Sequence, residues 1–163
     1  MSCAFVGIDI GLEGAIAAID EHRNVLCLHD TPLIKAKRHD YDVAGMYALL
    51  TDLHRQHPHM LAVIEEAQAM PGMGQSSRLS LGKGFGFWVG MLVGKVPYVT
   101  VRPGTWKKEL ALPADKELVR KKASAFFPGA ALTRKKDHNR AEALFLAHYA
   151  GIYARGHRLE KIA

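Results

Sequence analysis

A single carboxylate, Asp9, stands inside the otherwise apolar run Phe5-Val-Gly-Ile-Asp-Ile10, and it limits what the chain can fold into. Val6 to Ile10 reads as a strand buried on both faces. An ionised carboxylate in such a strand is costly unless it is paired or holds a cation. Whatever fold forms must therefore bring a compensating group to Asp9.

The surrounding pattern supplies the rest of a sheet. Gly14 to Asp20 reads as a second strand, with Gly11 and Gly14 supplying the turn, and Val25 to His29 as a third, which together make an antiparallel meander. Asp42 is placed to cap a helix running to about Arg55, with Val43, Met46, Tyr47, Leu50 and Leu53 along one stripe. Leu61 to Glu65 is a short apolar run closed by two acids, a buried strand that delivers carboxylate at its end. The loop Pro71-Gly-Met-Gly leads into a long helix from about Gln75 to Gly94, on which Gly82, Gly86, Gly90 and Gly94 share one flat face. Each glycine costs roughly 1 kcal/mol of helix propensity, so close packing against the sheet or a second subunit is expected there.

Tyr98 to Val101 reads as a fifth strand, followed by a loop Arg102-Pro-Gly-Thr-Trp106. Asp115 caps a helix to Phe127, and a last helix runs from about Asn139 to Arg155. The order predicts an α/β fold with a mixed five-stranded sheet, a three-stranded antiparallel meander plus parallel strands, flanked by helices. At 163 residues, 48% hydrophobic and 23% charged, residues 1–163 are expected to form one domain.

Composition narrows the class. Cys3 and Cys27 form no CxxC pattern, so neither a zinc site nor a disulfide scaffold is expected, and a reducing cytoplasm fits. The N-terminus lacks the basic region of a signal peptide, and the longest apolar run, Gly84 to Gly94, falls short of the ~20 residues a membrane span needs. The net charge is +6, and residues 101–163 hold 14 Lys and Arg against 6 Asp and Glu. These C-terminal cations either build one face for a polyanion or are solvated helix faces. Gly82-Lys-Gly-Phe-Gly86 lacks the spacing of a phosphate loop.

Asp9, Glu65 and Glu142, the last in the first turn of the final helix, are the carboxylates to explain. One solution is a network of lysine and arginine partners. The other is a hard divalent cation, Mg²⁺ or Mn²⁺, between the acids. Two such ions about 4 Å apart activate a water and stabilise a leaving oxygen in phosphodiester hydrolysis.

Asp9 in "GIDIG", Glu65 in "AVIEEAQ", the glycine-containing helix and the acidic helix "DHNRAEALFLAHYA" resemble the RuvC-type Holliday junction resolvases of the RNase H-like superfamily, nearer to phage and prophage forms. The resemblance covers nearly the whole chain. It implies a homodimeric endonuclease, in the cytoplasm of a bacterial or phage-infected cell, that makes paired nicks in four-way DNA junctions with Mg²⁺ or Mn²⁺, two ions per site. Asp9, Glu65 and Glu142 would be metal ligands.

The family's fourth ligand lies three residues before the helical acid, where this chain has Asn139. Asn139 and Glu142 could instead form a capping box. Asp137 is then the expected fourth ligand, with His138, on the Glu142 face of the helix, as proton donor or base and as the competing ligand. The family's base-stacking aromatic after the fourth-strand glutamate is missing, which leaves Met70, Met73 or Phe85 as wedges or as core residues.

Candidate DNA contacts are Arg78, Lys83, Arg102, Lys107, Lys108, Lys121, Lys122, Arg134, Lys135 and Lys136, together with Trp106, which either stacks on DNA or plugs the sheet edge. Two other classes stay open: a non-catalytic nucleic-acid binder on the same scaffold, and an actin-like nucleotide-binding domain, whose machinery needs two such domains.

Overall fold

A computed structural model describes residues 3–156. In chain order the elements are β1 (Ala4–Asp9), β2 (Ala15–Ile19), β3 (Val25–Asp30), β4 (Leu33–Ile34), β5 (Asp40–Tyr41), α1 (Val43–Gln56), β6 (Met60–Glu65), α2 (Gln75–Leu92), β7 (Tyr98–Val101), α3 (Pro103–Glu109), α4 (Lys116–Phe126) and α5 (His138–Gly156). The central sheet has the order β3-β2-β1-β6-β7. β1, β2 and β3 pair antiparallel, and β6 and β7 add parallel strands. The expected mixed five-stranded sheet is thus the observed one.

Helices cover both faces, and the two-residue period of a strand decides which side chain meets which helix. Ala4, Val6 and Ile8 of β1 and Ala62 and Ile64 of β6 pack with Met46 and Leu50 of α1 and Trp88 and Leu92 of α2. Phe5 of β1 and Leu61 and Val63 of β6 point the other way, into the core shared with α4 and α5. Continuing that alternation, Asp9 and Glu65 emerge from neighbouring strands on the α5 side. The parallel register Ile8↔Ile64 sets their backbones side by side.

Gly7 controls how near α5 comes. A Cβ at Gly7 would collide with the carbonyl oxygen of Ala143 and the amide of Ala147, and would lie 2.7 Å from Leu146 Cβ. The bare backbone of β1 therefore lets α5 lie directly on the strand, next to Asp9.

Three local features depart from the sequence expectation. Residues after Arg102 form α3 rather than a loop, because Pro103 sits in the first turn, where no amide donor is needed. A small hairpin, β4 with β5, fills the connection before α1. The last helix starts at His138 after a 3₁₀ turn at Lys135–Asp137. The acid that reaches back to cap is Asp137, whose carboxylate accepts from Arg134 N at 2.6 Å, and not Glu142 with Asn139.

The helix caps follow the sequence otherwise. Asp42 accepts from Gly45 N at 2.9 Å and Asp115 from Leu118 N at 2.9 Å. On α1, Met46, Leu50 and Leu53 are buried whereas Val43 and Tyr47 are exposed. Among the described residues no helix is long and apolar enough to cross a membrane.

Gly7→Ala should be badly tolerated, since the obstacles are backbone atoms that cannot rotate away. We expect a loss of about 3 kcal/mol, or roughly 6–12 °C in thermal midpoint. A midpoint within about 2 °C of the parent in thermal denaturation would contradict this account of the β1–α5 contact.

Candidate metal centre

Asp9 ends β1, Glu65 ends β6 and Glu142 lies in the second turn of α5. Each offers a carboxylate oxygen, and these oxygens all lie within 4.8 Å of one another. Among the described residues no other group of three His, Cys, Asp or Glu residues converges in this way. Asp9 and Glu142 are each only 7% exposed. The acids open into a cavity of about 600 Å³, also lined by Gly11, Met70, Leu81, Lys107, Lys116 and Asn139.

Burial raises the Asp9 carboxyl well above the ordinary carboxylate range, and the charges of Glu142 and Glu65 raise it further, against weaker opposition from Lys107 and Lys116. Glu65 is also raised, chiefly by burial, although a hydrogen bond from Trp106 pulls the other way. Lys107 Nζ bonds Glu142 Oε2 at 3.0 Å. The lysine network anticipated as one solution is thus present, but it leaves Asp9 and Glu65 short of positive charge. Three converging hard oxygens with that deficit fit one or more divalent cations. Asp9, Glu65 and Glu142 could hold them.

Trp106 is wholly buried and donates from Nε1 to Glu65 Oε2 at 2.8 Å. Stacking of this indole on DNA is therefore corrected: the side chain sits inside the fold, where it fixes one oxygen of Glu65 and leaves the other for a ligand. Lys107 Nζ lies 5.2 Å from the same ring centroid.

Asp137 does not join the three acids. Its carboxylate, 1% exposed, accepts from Arg134 N at 2.6 Å and Arg134 Nε at 2.8 Å, with Arg140 Nε 3.8 Å away. Burial alone would raise its pKa, but these hydrogen bonds and the two guanidinium charges bring it below the ordinary range. The 3₁₀ turn commits Asp137 to capping, so the fourth-ligand position expected of it is not where the structure puts it.

Asn139 lines the cleft in its place, and its Nδ2 donates to Glu13 O at 2.6 Å. His138 faces a separate cavity with Lys116, Glu117, Lys135 and Lys136. Its Nδ1 lies 3.1 Å from Lys135 O and its Nε2 3.4 Å from Lys116 Nζ. A lysine ammonium can only donate, so Nε2 is the accepting nitrogen.

The remaining basic candidates divide. Lys108 and Lys121 are exposed, and Lys122 is anchored to Ala111 O at 3.0 Å. Arg102 lies 3.4 Å from Glu66, Lys83 holds Asp40 at 2.7 Å, and Arg78 Nε donates to Met73 O at 2.9 Å. Arg134 spans Asp137 and Asp30, and Lys136 reaches Asp30 at 3.9 Å. Lys116 was missed in the sequence: nothing in a basic helix start reveals that this lysine reaches the acids.

Raised carboxyl pKa values mean that Asp9 and Glu65 bind protons more tightly folded than unfolded, so ionising them opposes folding. This penalty sets in as pH rises above the ordinary carboxylate range. Asp30 and Asp137, with lowered values, change their contribution only at lower pH. His148, also lowered, gains stability in the opposite sense, so the readout is a difference between proteins. In EDTA, the midpoint of the parent should fall relative to Asp9→Asn between about pH 5 and pH 8, and Mg²⁺ at the upper end should restore it. Parallel pH curves for the two proteins would refute the assignment. Asp137→Asn should lower stability by about 1–3 kcal/mol while leaving divalent-ion affinity, measured by calorimetry, within about twofold of the parent, because a direct ligand would cost more than the tenfold typical of outer groups.

No protein-family model matches the sequence, and no curated protein sequence matches it. Solved structures do resemble the fold. Thermus thermophilus RuvC in complex with Holliday junction substrate superposes with a TM-score of 0.69 at 18% identity, covering 94% of this chain and 96% of that one. Thermus thermophilus RuvC in a second structure gives 0.63 at 19% identity, with 96% of each chain covered. The fowlpox virus Holliday junction resolvase gives 0.51 at 16% identity over 96% of this chain and 99% of that one. At these identities the likeness is one of fold: the mixed sheet and its helices are those of the RuvC-like structures.

Proposed function

We propose that this protein is a divalent-metal-dependent DNA endonuclease that resolves four-way junctions by paired phosphodiester hydrolysis. The observation that carries the reading is the convergence of Asp9, Glu65 and Glu142 within 4.8 Å on a fold shared with junction resolvases. Asp9, Glu65 and Glu142 would hold Mg²⁺ or Mn²⁺, which supplies a nucleophilic water and stabilises the leaving oxygen. Asn139 contributes an uncharged side chain to the cleft wall.

This chain's cations then take the substrate. Lys107 and Lys116 line the cleft and would bind non-bridging phosphate oxygens of the strand to be cut, Lys107 exchanging Glu142 for phosphate. Met70, 59% exposed at the cleft, is the wedge that suits an opened base step.

Paired nicks need two sites, hence a homodimer. Gly82, Gly86 and Gly90 of α2 face open space, and Leu79 and Val93 beside them are 70% and 60% exposed. This unpartnered face is our candidate dimer contact. The reading takes residues 1–163 as one domain, working in the cytoplasm of a bacterial or phage-infected cell and closest in kind to phage resolvases.

The test is to incubate the protein with a labelled four-way junction or plain duplex, with Mg²⁺, Mn²⁺ or EDTA, and map the nicks. Symmetric nicks in the junction, absent in EDTA, are expected. Asp9→Asn, Glu65→Gln and Glu142→Gln should each slow nicking by more than about 100-fold, beyond the loss typical for groups outside the metal's direct ligands, while junction binding in Ca²⁺ persists. Nicking that survives EDTA, or that favours duplex, would refute the proposal.

A further inference from the structure

A second groove adjoins the metal cleft; Leu79 of the candidate dimer face lies on its wall, but its cationic loop has no part in the reading above. It encloses about 760 Å³ between the loop joining β4 to β5 and the N-terminal half of α2. Lys37, Arg38 and His39 line it from the loop, and Ser76, Ser77 and Ser80 from the helix. The segment Lys35-Ala-Lys-Arg-His39 is the densest run of cations in the N-terminal half of the chain, and all five residues are exposed. Asp40 also lines the groove, but its charge is bonded to Lys83 on the same wall, and Asp42 caps α1.

The loop is held in place rather than merely tethered. Tyr41, 3% exposed, passes beneath α2 and donates its hydroxyl to Ser80 O at 3.0 Å. Its ring packs edge-on against Phe87, with centroids 5.8 Å apart. A Cβ at Gly84 would collide with the Tyr41 hydroxyl and lie 2.6 Å from Cζ, so α2 carries glycine where the tyrosine enters. A cationic loop pinned at both ends, by the β4–β5 pairing and by Tyr41, has less freedom to lose when a ligand arrives.

Groove and cleft are neighbours. Gly11 lines the cleft and Leu12 the groove, while on α2 Leu81 lines the cleft and Ser80 the groove. On the far side of the acids, Lys116 lines both the cleft and the cavity formed with Lys135, Lys136 and His138. The carboxylates therefore lie between two cationic walls.

We infer that the β4–β5 loop and the adjacent α2 serines form a second phosphate-backbone cradle, which holds the DNA as it continues beyond the cut. The proposal rests on the endonuclease reading. Lysine, arginine and serine hydroxyls suit phosphate oxygens. Among the described residues no Phe, Tyr or Trp lines the groove, and its cations and hydroxyls suit the phosphate backbone as occupant.

The test is a Lys37→Glu/Arg38→Glu double variant, with binding to a four-way junction measured in Ca²⁺ across a salt series. A control variant, Arg55→Glu/Lys95→Glu, changes net charge equally on residues away from the groove. The groove variant should bind about 10–100-fold more weakly at low salt, with a log-log salt slope shallower by about 2. The control should stay within about threefold of the parent. Equal losses in both variants, or parental affinity and slope in the groove variant, overturn the cradle, the latter leaving the groove to an acidic protein partner. A parent that neither binds nor nicks junctions sinks the endonuclease reading itself; a competent parent with an unaffected groove variant sinks only the cradle.

Discussion

The direct contact between α5 and β1 is what the rest of the site depends on. A helix packed on a sheet is normally held off by side chains on both surfaces. Here Gly7 removes one of them, and Ala143 and Ala147 contribute little bulk on the other. The helix backbone comes to rest on the strand, and Glu142 is carried to Asp9, two residues beyond Gly7. Parallel pairing of β1 with β6 adds Glu65 from the side. Three acids from three distant stretches of chain thus meet through one strand pairing and one residue without a side chain.

That meeting works against the stability of the protein. Burial and mutual repulsion raise Asp9 and Glu65, and the supporting groups are arranged to contain the charge rather than abolish it. Lys107 answers Glu142, and Trp106 orients Glu65 with a neutral donor that brings no charge of its own. Elsewhere the chain treats acids differently. Asp30 meets Arg134 and Arg140, and Asp137 meets the same pair, so their charges are settled within the fold. The contrast separates carboxylates whose charge the fold settles from the three that are candidate metal ligands.

Much of this could be read in the sequence, and the reasons are local. An acid in an apolar strand announces itself, and the period-two pattern of β1 and β6 fixes the faces of Asp9 and Glu65. Asp137 was put forward because it precedes the helix and a hard cation prefers carboxylate to imidazole, and neither consideration reveals the 3₁₀ turn that ties it to Arg134. Trp106 was open to two readings because burial depends on α3, which a Pro-Gly pair disguised as loop. The basic β4–β5 loop was overlooked since residues 1–100, with 8 Lys and Arg against 10 Asp and Glu, are slightly acidic in sum. A sum over one hundred residues hides where five of them gather.

The hydrogen bond from Trp106 to Glu65 has an optical consequence. An indole's emission responds to charge near its ring nitrogen, and here that nitrogen touches a carboxylate of the acid cluster. The protein thereby carries an intrinsic fluorophore in contact with its acid cluster, with Trp88, buried in the core on the opposite face of the sheet, as an internal reference.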